Sequence, residues 1–159
     1  MNNQFKEFLK LLKALEEHQV EYVLVGGVAV IIHGMARLTR DIDLFIQNTP
    51  GNIQNFQKAL QSIYHDDSIN EITISELEKY SVVRYGTPDD FYIDIITRLG
   101  EAIAFEEIKY EIIEYQGIGI KIASPESLYL MKKNTYREKD KLDILFLKEL
   151  ILTRNLKKE

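Results

Sequence analysis

The sequence predicts a mixed α+β fold, a mixed or antiparallel β-sheet flanked by helices, with a helical pair at the C-terminus. Three observations predict it. Apolar residues recur at helical spacing in several separate segments. Short runs rich in β-branched and aromatic residues come in pairs around turn signals, at Gly86-Thr87-Pro88-Asp89-Asp90 and at Gln116-Gly117. The order of elements, α-β-α-β-α-(α)-β-β-α-β-β-α-α, lacks the strict alternation of a parallel sheet, and places the helices on one side of the sheet.

Each element has its own signal. Phe5, Phe8, Leu9, Leu12 and Leu15 mark one face of a helix over 3–18. Tyr22–Val25 is a short apolar run stopped by Gly26-Gly27, the pattern of a buried strand. Val28–His33 then reads as helical, closed by Gly34. Residues 41–46, Asp-Ile-Asp-Leu-Phe-Ile, alternate as a second strand. Thr49-Pro50 opens a helix whose apolar face is Ile53, Phe56, Leu60 and Ile63. Ser75-Glu76-Leu77-Glu78 has the form of a capping box for a short helix. Ser81–Tyr85 and Phe91–Ile96 are the arms of one hairpin; Glu111–Tyr115 and Ile118–Ile122 are the arms of another, with Gly119 weakening its second strand. Residues 101–109 read as helical between them. Ser124-Pro125-Glu126 opens a helix to about Asn134, and a last helix over 137–153 turns Leu142, Leu145, Phe146 and Leu150 inward.

Composition narrows the classes. With 159 residues and 45% hydrophobic content the chain builds one core, so we expect a single domain over 1–159, an α/β core over 1–122 and a helical segment over 123–159. There are no cysteines, which excludes a disulfide framework, a thiolate zinc site and a cysteine nucleophile. No run approaches about 18 apolar residues, and MNNQFKEFLK lacks the pattern of a signal peptide. A cytoplasmic protein without a membrane partner is the expectation. The formal net charge is −5, which gives no broad attraction for nucleic acid. That charge is uneven: residues 1–120 carry 10 basic against 19 acidic side chains, and residues 121–159 carry 10 against 6. A basic C-terminal segment facing an acidic body suits a polyanion such as a triphosphate, although solvated helix faces explain it equally.

Tyr22–Ile46 carries most of the chemistry. Residues two apart in a strand face the same way, so Asp41 and Asp43 project together with Cα atoms roughly 6.5–7 Å apart. Ile42, Leu44 and Ile46 take the core face, and Phe45 is expected to cover the edge of the site. Two such charges repel unless a cation lies between them, and Mg²⁺ accepts one or two protein carboxylates together with phosphate oxygens. Gly26-Gly27 lets the backbone approach a phosphate closely, although a plain strand-to-helix turn would use the same residues. Asp94 stands in the apolar strand Phe-Tyr-Ile-Asp-Ile-Ile, on the face opposite Ile93 and Ile95, where an ionised carboxylate needs compensation. If that strand lies beside 41–46, three carboxylates converge.

These residues resemble the signature of polymerase-beta-like nucleotidyltransferases: a Gly-Gly turn, a helix, Asp-x-Asp on the next strand and a third carboxylate on a later one. More narrowly, Gly26-Gly27-x-Ala29…His33-Gly34-x-x-Arg37-x-Thr39-x-Asp41-Ile42-Asp43-Leu44 is similar to bacterial AbiEii/AbiGii-type nucleotidyltransferases and their small relatives. Ser124-Pro125-Glu126-Ser127-Leu128…Lys132…Arg137-x-Lys139-Asp140-x-x-Asp143 resembles their second block, departing at Ser127, where the family carries an acidic residue. The resemblance spans roughly residues 20–150.

The resemblance implies transfer of a nucleoside monophosphate from an NTP to an acceptor hydroxyl. Asp41, Asp43 and Asp94 would be the metal ligands, for two Mg²⁺ during turnover. Asp94 would complete a second metal position or accept the acceptor's proton. Gly26, Gly27, Arg37, Thr39 and Arg40 would bind nucleotide, with Arg40 equally readable as a solvated charge. Lys132 would neutralise the departing pyrophosphate, with Lys133 beside it. His33, Arg137 and Asp140 are supporting residues: His33 reads mainly as a helix-end residue, and Arg137 and Asp140 as a structural i, i+3 pair, the alternative being that Asp140 orients Lys132. The acceptor stays open among a small molecule, a protein and tRNA. The chain length leaves little room for a large acceptor-binding domain, so a small acceptor or a partner protein is favoured.

Three other readings compete. A degenerate, antitoxin-like interaction protein would need no carboxylate triad and gains if Asp94 lies far from Asp41 and Asp43. A nucleotide sensor without turnover would need the Gly-Gly turn but not Asp94. A phosphohydrolase is disfavoured, because His18, His33 and His65 lack ligand spacing.

Overall fold

The computed structural model describes residues 3–99, 103–134 and 137–158. Six strands form one mixed sheet: β1 (Tyr22–Val25), β2 (Asp41–Ile46), β3 (Val82–Gly86), β4 (Tyr92–Ile96), β5 (Tyr110–Tyr115) and β6 (Ile118–Ala123). Their spatial order is β3-β4-β2-β1-β6-β5. Pairs β1/β2, β3/β4 and β5/β6 are antiparallel, whereas β2/β4 and β1/β6 are parallel. The mixed sheet expected from the sequence is therefore present. All four residues of β1 are buried because it lies in the middle of the sheet with both faces covered.

The helices are α1 (Asn3–Glu17), α2 (Gly26–Ile32), α3 (Pro50–Tyr64), α4 (Ile74–Lys79), α5 (Pro125–Asn134) and α6 (Lys141–Lys158). Among the described residues, no helix is long and apolar enough to cross a membrane. They cover both faces of the sheet, not one as the element order suggests. Helices α1 and α3 pack together, and their Phe8 and Tyr64 rings meet Phe91 at centroid distances of 5.0 and 6.5 Å. Tyr64 also meets Tyr85, which is one residue out of phase with Arg84 and so lies on the face opposite Asp94. Helices α2, α5 and α6 pack on one another across the other face. The reason is the apolar content of both strand faces: Ile42, Leu44, Phe45 and Ile46 are all fully buried. Burying each such side chain contributes roughly 1.5–3 kcal/mol.

Local signals explain the joins. Pro50 sits in the first turn of α3, and His65 ends that helix in the left-handed region at φ 48°. The buried Asn52 ties the start of α3 to the sheet. Its amide donates to the carbonyls of Glu21 (2.9 Å) and Gln47 (2.8 Å), and its carbonyl accepts from the Glu21 N–H. Gln116 and Gly117, both at positive φ, turn the β5–β6 hairpin.

Three expectations need correction. Helix α4 is capped by Thr73, whose hydroxyl accepts from the Glu76 N–H at 3.2 Å, and Ser75 lies inside it; the cap stands two residues earlier than the box suggested. Of the helix expected over 101–109, residues 101 and 102 lie outside the described residues. The rest contains only a 3-10 turn, Phe105–Glu107, after a bridge between Leu99 and Ile103. Leu142 and Leu145 of α6 point outward, 67% and 52% exposed, while Asp143 and Leu147 are buried. Four consecutive apolar residues, 144–147, leave the helix face undetermined by periodicity, and the pairing of Asp143 with Arg37 and Lys132 turns that residue inward. The last helix also begins as a 3-10 turn over Glu138–Asp140 and runs on to Lys158.

Candidate active site

One row of residues crosses the sheet. The strand register puts Val25 opposite Asp43, Asp43 opposite Asp94, and Asp94 opposite Arg84. Residues in register share a face, and neighbouring strands lie about 4.8 Å apart. Asp43 and Asp94 are therefore side by side, and Asp41 shares their face two residues earlier on β2. The convergence on which the catalytic reading depended is present in the geometry, and the placement that would have favoured an interaction protein is not.

Gly26 follows Val25 directly and has φ +71°. A Cβ there would lie 2.0 Å from Asp43 Oδ2. The glycine is needed so that the carboxylate can lie against the chain. Gly27 has a related neighbour: its Cβ would be 3.3 Å from the Arg37 guanidinium carbon. The two glycines thus admit a carboxylate and a guanidinium to the first turn of α2. Its first turn includes both, whereas the sequence placed them before the helix.

The electrostatics are uneven. Burial, then the charges of Asp94 and Asp41, push the Asp43 carboxyl up to about 7, with Lys132 opposing them. Arg84 donates from Nε to Asp94 Oδ1 at 2.8 Å, and from Nη2 to Asp94 Oδ2 at 3.0 Å and Asp41 Oδ2 at 3.2 Å. Its guanidinium also lies 4.7 Å from the centroid of the Tyr92 ring. These bonds to Asp94 raise the Arg84 pKa. Among the described residues, no group of three or more His, Asp or Glu side chains is drawn together tightly enough to hold a metal as it stands.

A second cluster faces the first from α5 and α6. Lys132, itself buried, reaches Asp143 Oδ2 at 3.1 Å and Asp140 Oδ1 at 3.3 Å. Asp143 also accepts from Arg37 Nη1, and Asp140 pairs with Arg137 Nε at 3.1 Å. Burial alone would raise the Asp140 pKa, but Lys132 and Arg137 outweigh it and hold the carboxyl below its ordinary range. Asp140 contacts Lys132 and Arg137 together, so the i, i+3 pair and the contact with the lysine coexist.

Between the clusters lies an open cleft of about 410 Å³. Gly26, Gly27, Arg37, Thr39, Asp41, Asp43, Asp94, Lys132, Arg137 and Asp140 all border it. Thr39 also braces the strand start, its hydroxyl donating to the Asp41 carbonyl at 3.2 Å. Arg40 is exposed and Lys133 points outward over Tyr129; neither borders the cleft. His33 lies outside it as well, with Nε2 2.9 Å from the Ala123 carbonyl, in keeping with a helix-end role. Phe45 does not cover the edge: it is fully buried beside Phe105.

Sequence reasoning missed Arg84 and gave Asp143 no role. The opposite charges on the two arms of the 81–96 hairpin were the signal for Arg84. For Asp143 the signal was an acid inside the most apolar stretch of its helix.

A family model described as nucleotidyl transferase AbiEii toxin, type IV TA system, matches residues 10–142. Among solved structures, the chain is similar to the lincosamide antibiotic adenylyltransferase LnuA, solved with lincomycin bound. Identity there is 21% and the TM-score 0.56, with 93% of this chain and 96% of that one covered. An antigenic nucleotidyltransferase-like protein from Paracoccidioides brasiliensis is 18% identical at a TM-score of 0.60, covering 94% and 77%. ANT(2'')-Ia, solved with adenylyl-2''-tobramycin, is 14% identical at a TM-score of 0.56, covering 98% and 94%. These structural likenesses speak for the fold. No curated protein matches the chain.

Proposed function

The chain belongs to the AbiEii family of nucleotidyl transferases, and on that premise we propose that it transfers a nucleoside monophosphate from an NTP to an acceptor hydroxyl at Asp41, Asp43 and Asp94, with Mg²⁺ as cofactor. The observation that carries the reading is the register of β2 and β4, which sets Asp43 beside Asp94 with Lys132 across the cleft. Like charges gathered in one cluster repel, and Asp43, pushed up to about 7 by burial and its acidic neighbours, reflects that.

The donor set fits the cofactor. Asp41, Asp43 and Asp94 offer carboxylate oxygens alone, the ligands hard cations prefer. When bound, Mg²⁺ supplies neutralisation of charge on the phosphates and on the reacting oxygens. The chain's own residues do the rest. Gly26 and Gly27 leave the cleft floor open beside Asp43, and Arg37, Lys132 and Arg137 supply positive charge along the facing wall. The acceptor oxygen forms a bond to the α-phosphorus as the bond to the bridging oxygen breaks. Pyrophosphate leaves with that electron pair, and Lys132 offsets its charge. Asp94 takes the hydroxyl proton. Positioning and charge neutralisation carry most of the rate in such a transfer.

The acceptor belongs to the same proposal. LnuA was solved with lincomycin bound and ANT(2'')-Ia with adenylyl-2''-tobramycin, which supports a small acceptor here. The family description supports a toxin role within a two-component system.

Calorimetric titration of each NTP with Mg²⁺, into wild type and the Asp41→Asn/Asp43→Asn double variant, tests the site. Mg²⁺-dependent binding that is lost in the double variant is expected. Equal binding by both proteins, or none by the wild type at millimolar NTP, overturns the reading. A radiolabelled screen of small hydroxyl compounds, protein extract and tRNA then separates the acceptors, and growth arrest on expression tests the toxin role.

A further inference from the structure

Arg84 is a cation already paired with two of the three carboxylates. It forms two bonds to Asp94 and one to Asp41 from a single guanidinium, so it bridges two members of the cluster. Paired, charge-assisted bonds of this kind are among the stronger ones a carboxylate makes. The arm is nevertheless free to leave. Its side chain is 52% exposed, it rests on the face of the half-exposed Tyr92 ring, and its strand β3 is the outermost of the sheet. On its outer side it borders a second hollow lined in part by Ser68, Glu71, Thr73 and Glu76.

Arg84 occupies both carboxylate oxygens of Asp94 and one of Asp41, the residues read here as metal ligands. We propose that Arg84 is a displaceable internal counter-ion, a positioning residue that holds the metal position closed in the nucleotide-free protein and must swing away for a divalent cation to bind. The inference rests on the reading of Asp41, Asp43 and Asp94 as metal ligands and adds the regulation of that site. It makes cation binding weak in the resting protein. Arrival of a triphosphate, a richer set of anionic oxygens, favours the displaced arm, so cation and nucleotide bind cooperatively.

The test measures Mn²⁺ binding without nucleotide, by loss of the free-ion electron paramagnetic resonance signal, in full-length wild type, Arg84→Gln, Arg84→Lys and the Asp41→Asn/Asp43→Asn double variant. Arg84→Gln is expected to bind Mn²⁺ about tenfold more tightly than wild type, equivalent to ~1.4 kcal/mol. Arg84→Lys, which keeps the charge but loses the paired bonds, should fall between them. The preformed MnATP complex, titrated by calorimetry because ATP takes up free Mn²⁺ itself, should gain less from Arg84→Gln than Mn²⁺ alone does. Unchanged or weaker Mn²⁺ binding by Arg84→Gln overturns the counter-ion role while leaving the metal-ligand reading in place. Binding that survives in the double variant overturns that reading instead. Should Arg84→Gln fail to fold, the Arg84 Nε–H resonance of the unmutated chain serves. Saturating Mg²⁺ with ATP is expected to shift it and speed its exchange with water; an unmoved resonance overturns the proposal.

Discussion

The Oδ2 atom of Asp43 lies 2.0 Å from where a Cβ of residue 26 would be, so the Asp43 carboxylate fills the space that a side chain in place of Gly26 would need. No side chain at 26 is compatible with Asp43 in place. At φ +71° the backbone itself disfavours one as well.

Gly26→Ala therefore has two effects. The positive φ alone costs roughly 1–2 kcal/mol, and the methyl group must expel the Asp43 carboxylate. Lowered thermal stability together with lost Mg²⁺-dependent NTP binding is expected. Gly27→Ala is the control: its Cβ would meet the tip of the flexible Arg37 side chain at 3.3 Å, and a shift of a few tenths of an ångström relieves it. Near-normal melting and weakened but measurable NTP binding are expected for Gly27→Ala, by differential scanning fluorimetry and calorimetry.

Asp43→Asn should stabilise the metal-free protein at neutral pH. The amide removes a charge that burial and the neighbouring Asp94 and Asp41 disfavour. For a chain of this size each kcal/mol relieved raises Tm by roughly 2–4 °C. A melting curve in chelator that moves downward counts against this account of the cluster.

Asp143→Ala should be among the most damaging single changes. The residue is buried and serves Arg37 and Lys132 together. Removing one partner of a buried pair costs about 3–5 kcal/mol, because it leaves charge uncompensated. Urea unfolding of Asp143→Ala beside Arg137→Ala, whose side chain is 61% exposed, separates the two cases; the second should cost under about 1 kcal/mol.

Asp140 gives a pH dependence with a definite sign. Its folded pKa lies below the ordinary 3.8, since Lys132 and Arg137 overcome the effect of burial. A depressed carboxyl contributes stability that is present above 3.8 and lost as pH falls through the folded value. Wild type should therefore lose stability more steeply than Asp140→Asn below that pH, measured as urea midpoints across an acid series. Parallel curves would mean that Asp140 contributes nothing through its charge.

Thr73→Ala should destabilise by about 1 kcal/mol, as loss of a helix cap does, whereas Ser75→Ala should stay within roughly 0.5 kcal/mol. Equal effects in urea unfolding would contradict the cap seen at Thr73.

The sequence by itself determined what depends on near neighbours along the chain. Period-two alternation in 41–46 and 91–96 placed Asp41 and Asp43 together and Asp94 away from Ile93 and Ile95, and Gly26-Gly27 marked the end of the first strand. Family resemblance then assembled these into one site. Only the tertiary structure decided what depends on which strands become neighbours. The parallel pairing of β2 with β4 brings Asp43 and Asp94, 51 positions apart, into register. The antiparallel pairing of β3 with β4 carries Arg84 onto the same carboxylate. The face of α6 was decided the same way: in the apolar run Ile144–Leu147 periodicity has no preferred direction, and the charge pair between Asp143 and Arg37, 106 positions apart, supplies it. Local pattern specifies which way a side chain points within its own element. Burial of apolar faces and backbone pairing between distant segments specify where those elements meet, with charge pairs such as Asp143–Arg37 orienting a helix, and that energy is not written in any one segment.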